Sequence, residues 1–86
     1  MNESISIVIR DAGENRKASV TLPDNLTVEQ LLSATQQRWN LDANRDYALR
    51  LDRTGEQLDP SATLRDAGIQ NNDVIVLIEN FEGGQQ

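Results

Sequence analysis

Asn71-Asn72-Asp73-Val74-Ile75-Val76-Leu77-Ile78 decides the fold. The first three residues make a turn by composition, and the next five are the most apolar run in the chain. A strand apolar on both faces must be covered on both, which places it in the middle of a sheet. Its neighbours can be read from the other end of the chain. Ile5, Ile7 and Ile9 alternate with Ser6, Val8 and Arg10, the period of a half-buried strand. Asp11 to Arg16 is polar and turn-forming, and Lys17 to Leu22 alternates again with Ala18, Val20 and Leu22 facing inward. The two runs form a hairpin, and Pro23, which lacks an N–H, ends it. The apolar run is expected beside the first strand and parallel to it.

Between these strands lies a strong helix start. Thr27 is followed three positions later by Gln30, the spacing of a capping box. Leu26 can pack back on Leu31, and Glu29 places a negative charge in the first turn, where the helix dipole favours it. Val28, Leu31, Leu32, Thr35 and Trp39 share one face, so the helix runs from about Val28 to Trp39, with Trp39 as packing. Asn40 tolerates the left-handed conformation that closes a helix. Tyr47, Leu49 and Leu51 predict a third strand. Glu56-Gln57-Leu58 predicts at most a very short one. Thr63 predicts the cap of a single helical turn that buries Leu64 and stops at Gly68. The fold class is therefore α+β: a mixed sheet of four to five strands packed on one long helix, plus a short helical turn.

Composition narrows the function. Eighty-six residues make one domain, expected over 1–79, with a C-terminal arm over 80–86. The net charge of −6 argues against nucleic acid and favours basic partner surfaces. No run approaches the roughly 18 apolar residues of a membrane span, and no basic-then-apolar leader is visible, so a cytoplasmic protein is expected. The chain has no Cys and no His. It therefore lacks a thiolate, an imidazole base and a Cys/His zinc site, and no nucleophile–base pair for an enzyme exists. Asp42, Asp46, Asp52, Asp59 and Asp66 fall in turns and caps without the spacing of a calcium loop.

The order of elements resembles ubiquitin and the ubiquitin-like β-grasp. The residues that carry the likeness are Pro23 to Glu29 at the helix entry, Leu51, Thr54-Gly55, Gln57-Leu58, Thr63 to Asp66 and Ile69-Gln70. From Ile69 the spacing continues without a gap to Gly83-Gly84. In ubiquitin-like modifiers such a pair ends a flexible arm. Two residues without Cβ atoms can lie extended in a channel too narrow for others. The resemblance, closest to bacterial ubiquitin-like proteins encoded beside enzyme partners and in some cases linked to phage defence, implies a sequence of events. A processing metallopeptidase removes Gln85-Gln86. An ATP-dependent activating enzyme adenylates the Gly84 carboxylate. A conjugating enzyme then passes the acyl group to an amine on a protein target. ATP and Mg²⁺ belong to the partners, and the chain itself is expected to hold no cofactor.

The likeness also implies a partner-binding face. By strand parity Val76 and Ile78 project onto the open side of the sheet, with Arg50 and Asp52 beside them. Asp52 replaces an apolar residue of ubiquitin's docking patch, and Asn80 stands where ubiquitin's arm carries an arginine, so ubiquitin's own receptors and enzymes are not expected to bind. Phe81 places an apolar ring on the arm with no core to join. Lys17 is the sole lysine and thus the one side-chain acceptor for self-conjugation. Two other readings stand beside the modifier. One is a non-covalent ubiquitin-like module such as those of type VII secretion systems, which generally lack the paired glycine. The other is a sulfur carrier, which usually ends at Gly-Gly without an extension.

Overall fold

The computed structural model describes residues 3–41 and 45–79. Four strands and one helix follow in the order β1 (Ser4–Asp11), β2 (Lys17–Pro23), α1 (Val28–Arg38), β3 (Tyr47–Leu51) and β4 (Val74–Glu79). The sheet order is β2-β1-β4-β3. β4 runs parallel to β1 and antiparallel to β3, so the most apolar strand is central, as its two-sided apolarity requires. This is the ubiquitin-like β-grasp roll, α+β with a mixed four-stranded sheet. No helix among the described residues is long and apolar enough to cross a membrane.

Alternation decides which residues face α1. Ile5, Ile7 and Ile9 of β1, Leu49 and Leu51 of β3, and Ile75 and Leu77 of β4 point to one side and close over Val28 and Leu31. Trp39 is half-buried against this core, in line with its reading as packing. Asn40 takes φ 52 just past the helix, again as expected.

The first turn of α1 explains how the rest of the chain is held. A helix leaves four N–H groups without internal partners. Here the Val28 N–H donates to the Ala62 carbonyl at 2.9 Å and the Glu29 N–H to the Pro60 carbonyl at 3.0 Å. The Gln30 N–H donates to Thr27 Oγ1 at 3.1 Å, and the Gln30 side chain accepts from the Thr27 N–H at 3.0 Å. The Leu31 N–H closes the first ring on the Thr27 carbonyl. Thus the long connection between β3 and β4 supplies two caps that no local sequence signal announces. Thr27→Ala removes one acceptor of the four, and the expected loss is about 1 kcal/mol of unfolding free energy in urea denaturation. A Thr27→Ser variant, which keeps the acceptor, should recover most of it.

Two details of the sequence reading are corrected in that connection. The fifth strand is only an isolated bridge between Arg50 and Gln57. Two backbone bonds flank it, from the Leu51 N–H to the Glu56 carbonyl at 2.9 Å and from the Leu58 N–H to the Leu49 carbonyl at 2.8 Å, and no further rung follows. The helical turn after Thr63 reaches a single bond of helical span, from the Ala67 N–H to the Thr63 carbonyl at 2.9 Å. Gly68, at φ +80, then turns the chain away. Leu58, Leu64 and Ile69 still reach the core from this segment.

Candidate functional site

The face of the sheet turned away from α1 is built by the opposite parity. β1 contributes Val8 and Arg10, β4 contributes Val74, Val76 and Ile78, and β3 contributes Ala48 and Arg50, followed by Asp52. Register sets Val76 between Arg10 on one side and Arg50 on the other. Arg10 Nη2 donates to Asp52 Oδ1 at 3.2 Å, and Arg10 Nη1 donates to the Asp11 carbonyl. The Asp52 N–H is bonded to the Val74 carbonyl, so the Arg10 side chain must cross β4 between Val74 and Val76 to reach its partner.

That crossing has a consequence for docking. Val76 is 0% exposed. It faces the predicted side of the sheet but offers no surface to a partner; Arg10 and Arg50 flank it in register, and long side chains with apolar stems can cover a short β-branched one. Ile78, Val8 and Val74 remain half-buried, Arg50 is half-buried and Asp52 is exposed. The Arg10 side chain is itself only 22% exposed. Arg10 was not singled out by sequence reasoning, although its outward parity on β1, next to the central strand, was the signal that would have found it. Asp52 is thus one half of an ion pair across the sheet rather than a lone acid in an apolar patch.

Two further ion pairs hold the connection between β3 and β4, one within it and one to the segment that follows β2. Arg53 Nε and Nη2 donate to the two oxygens of Asp73, each at 3.1 Å, and Nη2 also reaches the Gly68 carbonyl. The Gln70 N–H donates to Asp73 Oδ2 at 2.8 Å. These donors, the Arg53 hydrogen bonds first, hold the Asp73 carboxyl below the usual aspartate range against the opposing effect of burial. Arg65 Nε and Nη2 both donate to Asp24 Oδ2, at 3.1 and 2.8 Å. Arg45 pairs with Glu79 at the last residue of β4. Among the described residues no group of three His, Cys, Asp or Glu is placed to hold a metal ion.

Lys17 is exposed at the start of β2, on the edge of the sheet. Asn80, Phe81, Gly83, Gly84, Gln85 and Gln86 lie outside the described residues. The structure also contains a feature that sequence reasoning missed. A slot of about 210 Å³ runs between β2 and α1, walled by Ala18, Val20 and Leu22 on the strand and by Ala34, Arg38 and Trp39 on the helix. The walls are mostly apolar. The small residues Ala18 and Ala34 leave the gap, a signal visible only once the strand and the helix are known to face each other.

A family model described as YukD, a protein of the WXG100 protein secretion system (Wss), matches residues 5–77. Among curated proteins none matches the chain. The fold is similar to the solved structure of ubiquitin from Caldiarchaeum subterraneum, at 24% identity and TM-score 0.79, over 95% of this chain and all of that one (100%). A de novo design based on ubiquitin matches at 20% identity and TM-score 0.75, over 96% of each chain. The ubiquitin-like domain of tubulin-binding cofactor B matches at 16% identity and TM-score 0.75, over 96% of this chain and 97% of that one. At such identities the three structures speak for the fold alone.

Proposed function

We propose a non-covalent role from one premise: the chain belongs to the YukD family of the WXG100 protein secretion system (Wss). On that premise it is a ubiquitin-like interaction module of the secretion system, which holds a partner protein on its folded body. The family match itself carries this reading. It spans residues 5–77, from β1 into β4, and so rests on the body and not on the paired glycine. The electrostatics agree with such a role. Five of the eight basic side chains are tied to carboxylates on the body, leaving a predominantly acidic surface for association.

A second reading keeps Gly83-Gly84 as a conjugation terminus. It needs removal of Gln85-Gln86, an ATP-dependent activating enzyme, a conjugating enzyme and target proteins. One experiment separates the two. The chain with Gly83→Ala and Gly84→Ala is expressed in cells that carry a WXG100 secretion system in place of the wild-type chain. Secretion at the wild-type level is expected, together with a single unmodified mass for the tagged chain purified under denaturing conditions. A denaturant-resistant adduct joined through Gly84, lost in the double variant along with secretion, would replace the non-covalent reading with the conjugating one.

A further inference from the structure

Val20 and Leu22 of β2 are half-buried, whereas their cross-strand neighbours Ile7 and Ile5 are buried. The difference is the slot between β2 and α1, where Ala18 and Ala34 end at a methyl and leave the gap unfilled. Ile9 and Leu31, both buried, line its inner side.

Size limits what the slot can hold. It measures about 210 Å³. An apolar cavity of about 150 Å³ is enough for a benzene molecule, and drug-sized ligands occupy about 300–1,000 Å³. The room suits an apolar group of about six to eight carbons.

Polar groups set the rest of the ligand. Thr35 Oγ1 belongs to the wall but already donates to the Leu31 carbonyl at 2.8 Å. Arg38 is the one charged residue in the wall. Arg10, Arg16, Arg45, Arg53 and Arg65 are each paired with a carboxylate, whereas Arg38 forms no ion pair among the described residues. Arg38 is exposed and still lines the slot, as a long side chain does when its stem lies on apolar surface and its charge stays in water. A guanidinium with no internal acceptor can take a carboxylate through two parallel N–H···O bonds. An apolar slot with one such cation in its wall prefers an amphipathic anion to a neutral or cationic molecule of the same size.

We infer that the β2–α1 slot binds a small free monocarboxylic acid of about six to eight carbons, with its apolar part against Val20, Leu22 and Ala34 and its carboxylate on Arg38. This is a small-molecule site on the same body. The inference goes beyond the non-covalent reading and does not rest on it. Trp39, the sole tryptophan, stands in the wall and reports occupancy.

The test titrates the full chain with hexanoate, heptanoate, octanoate and decanoate below their micellar range, followed by Trp39 fluorescence and by amide and methyl shifts. Affinity should rise about fourfold with each added methylene up to octanoate and then level off, because further carbons find no wall. Shifts should centre on Ala18, Val20, Leu22, Ala34 and Trp39. Octanol should bind about tenfold more weakly than octanoate, and Arg38→Gln should erase that difference. Ala34→Leu, at an exposed helix position, narrows the slot without touching the core and should abolish octanoate binding. Circular dichroism of both variants establishes that each is folded. Equal binding of octanol and octanoate, affinity that keeps climbing through decanoate, shifts confined to Val8, Val74 and Ile78, or no saturation below millimolar concentrations would each overturn the inference. So would tighter binding of a short peptide ending in a free Leu carboxylate, since the site would then read a chain terminus. None of these outcomes bears on the secretion experiment, which tests the role of the body separately.

Discussion

Leu64→Ala is expected to lower the free energy of unfolding by about 3–4 kcal/mol, within the range for a buried leucine whose surroundings cannot collapse into the space it leaves. Leu64 is 0% exposed although it lies in the long connection between β3 and β4, where substitutions are usually tolerated. Relaxation is blocked at the backbone. The Leu64 N–H donates to the Leu26 carbonyl at 2.8 Å, and the Leu64 carbonyl accepts from the Ile69 N–H at 3.0 Å. Total stability of order 4–13 kcal/mol is expected for this length, so the loss is a quarter or more of the whole. By the scaling for small domains, the midpoint of thermal unfolding should fall by about 12–30 °C. Urea denaturation followed by Trp39 fluorescence measures the effect. Ser61→Ala, exposed in the same connection, is the control and should stay within about 0.5 kcal/mol. If Leu64→Ala behaved like that control, the connection would not be part of the core.

The body of the fold was legible because its signals are local. Alternation in Ile5-Ile7-Ile9 and Ala18-Val20-Leu22, the Thr27/Gln30 capping box, the left-handed Asn40 and the apolar β4 each act within a few residues, and each lies where its chemistry predicts. Parity even assigned Val76 and Ile78 to the correct face. What parity cannot give is cover. Val76 is buried, and the ion pair beside it joins Arg10 and Asp52, which are 42 positions apart. The same limit applies to Asp73, whose partner Arg53 comes from the far side of the connection. The slot beside β2 depends on where α1 seats against the sheet, and no single segment encodes that. Composition did foreshadow the loss of regular structure between β3 and β4. Asp59 accepts from the Ser61 N–H in a side-chain turn that competes with strand pairing, and Thr63 Oγ1 accepts from the Asp66 N–H, the cap bond of the single turn expected there.

Asp73→Ala is expected to cost about 2–3 kcal/mol, the range for hydrogen bonds to a charged acceptor with a donor left wanting. The Asp73 side chain is only 11% exposed, and three donors converge on it: Arg53 Nε, Arg53 Nη2 and the Gln70 N–H. Its backbone is equally committed, since the Asp73 carbonyl accepts from the Val8 N–H at 3.0 Å. The carboxylate therefore fixes the turn that starts β4 and joins it to β1 and to the end of β3. The pH dependence gives a sharper test than the magnitude. The fold lowers the Asp73 pKa, first through the Arg53 hydrogen bonds. In the acid range the unfolded chain thus binds a proton more readily than the native one. The stabilisation is fully present above the unfolded aspartate value of about 3.9 and is lost as pH falls below it toward the lower native value. Asp73→Asn keeps the shape and removes the titrating charge. Its urea midpoint should start lower at pH 7 and change less between pH 5 and about pH 3 than that of the wild type. Subtracting the two curves cancels the other carboxylates, which both chains share. Parallel curves would mean that Arg53 does not hold the Asp73 charge in solution.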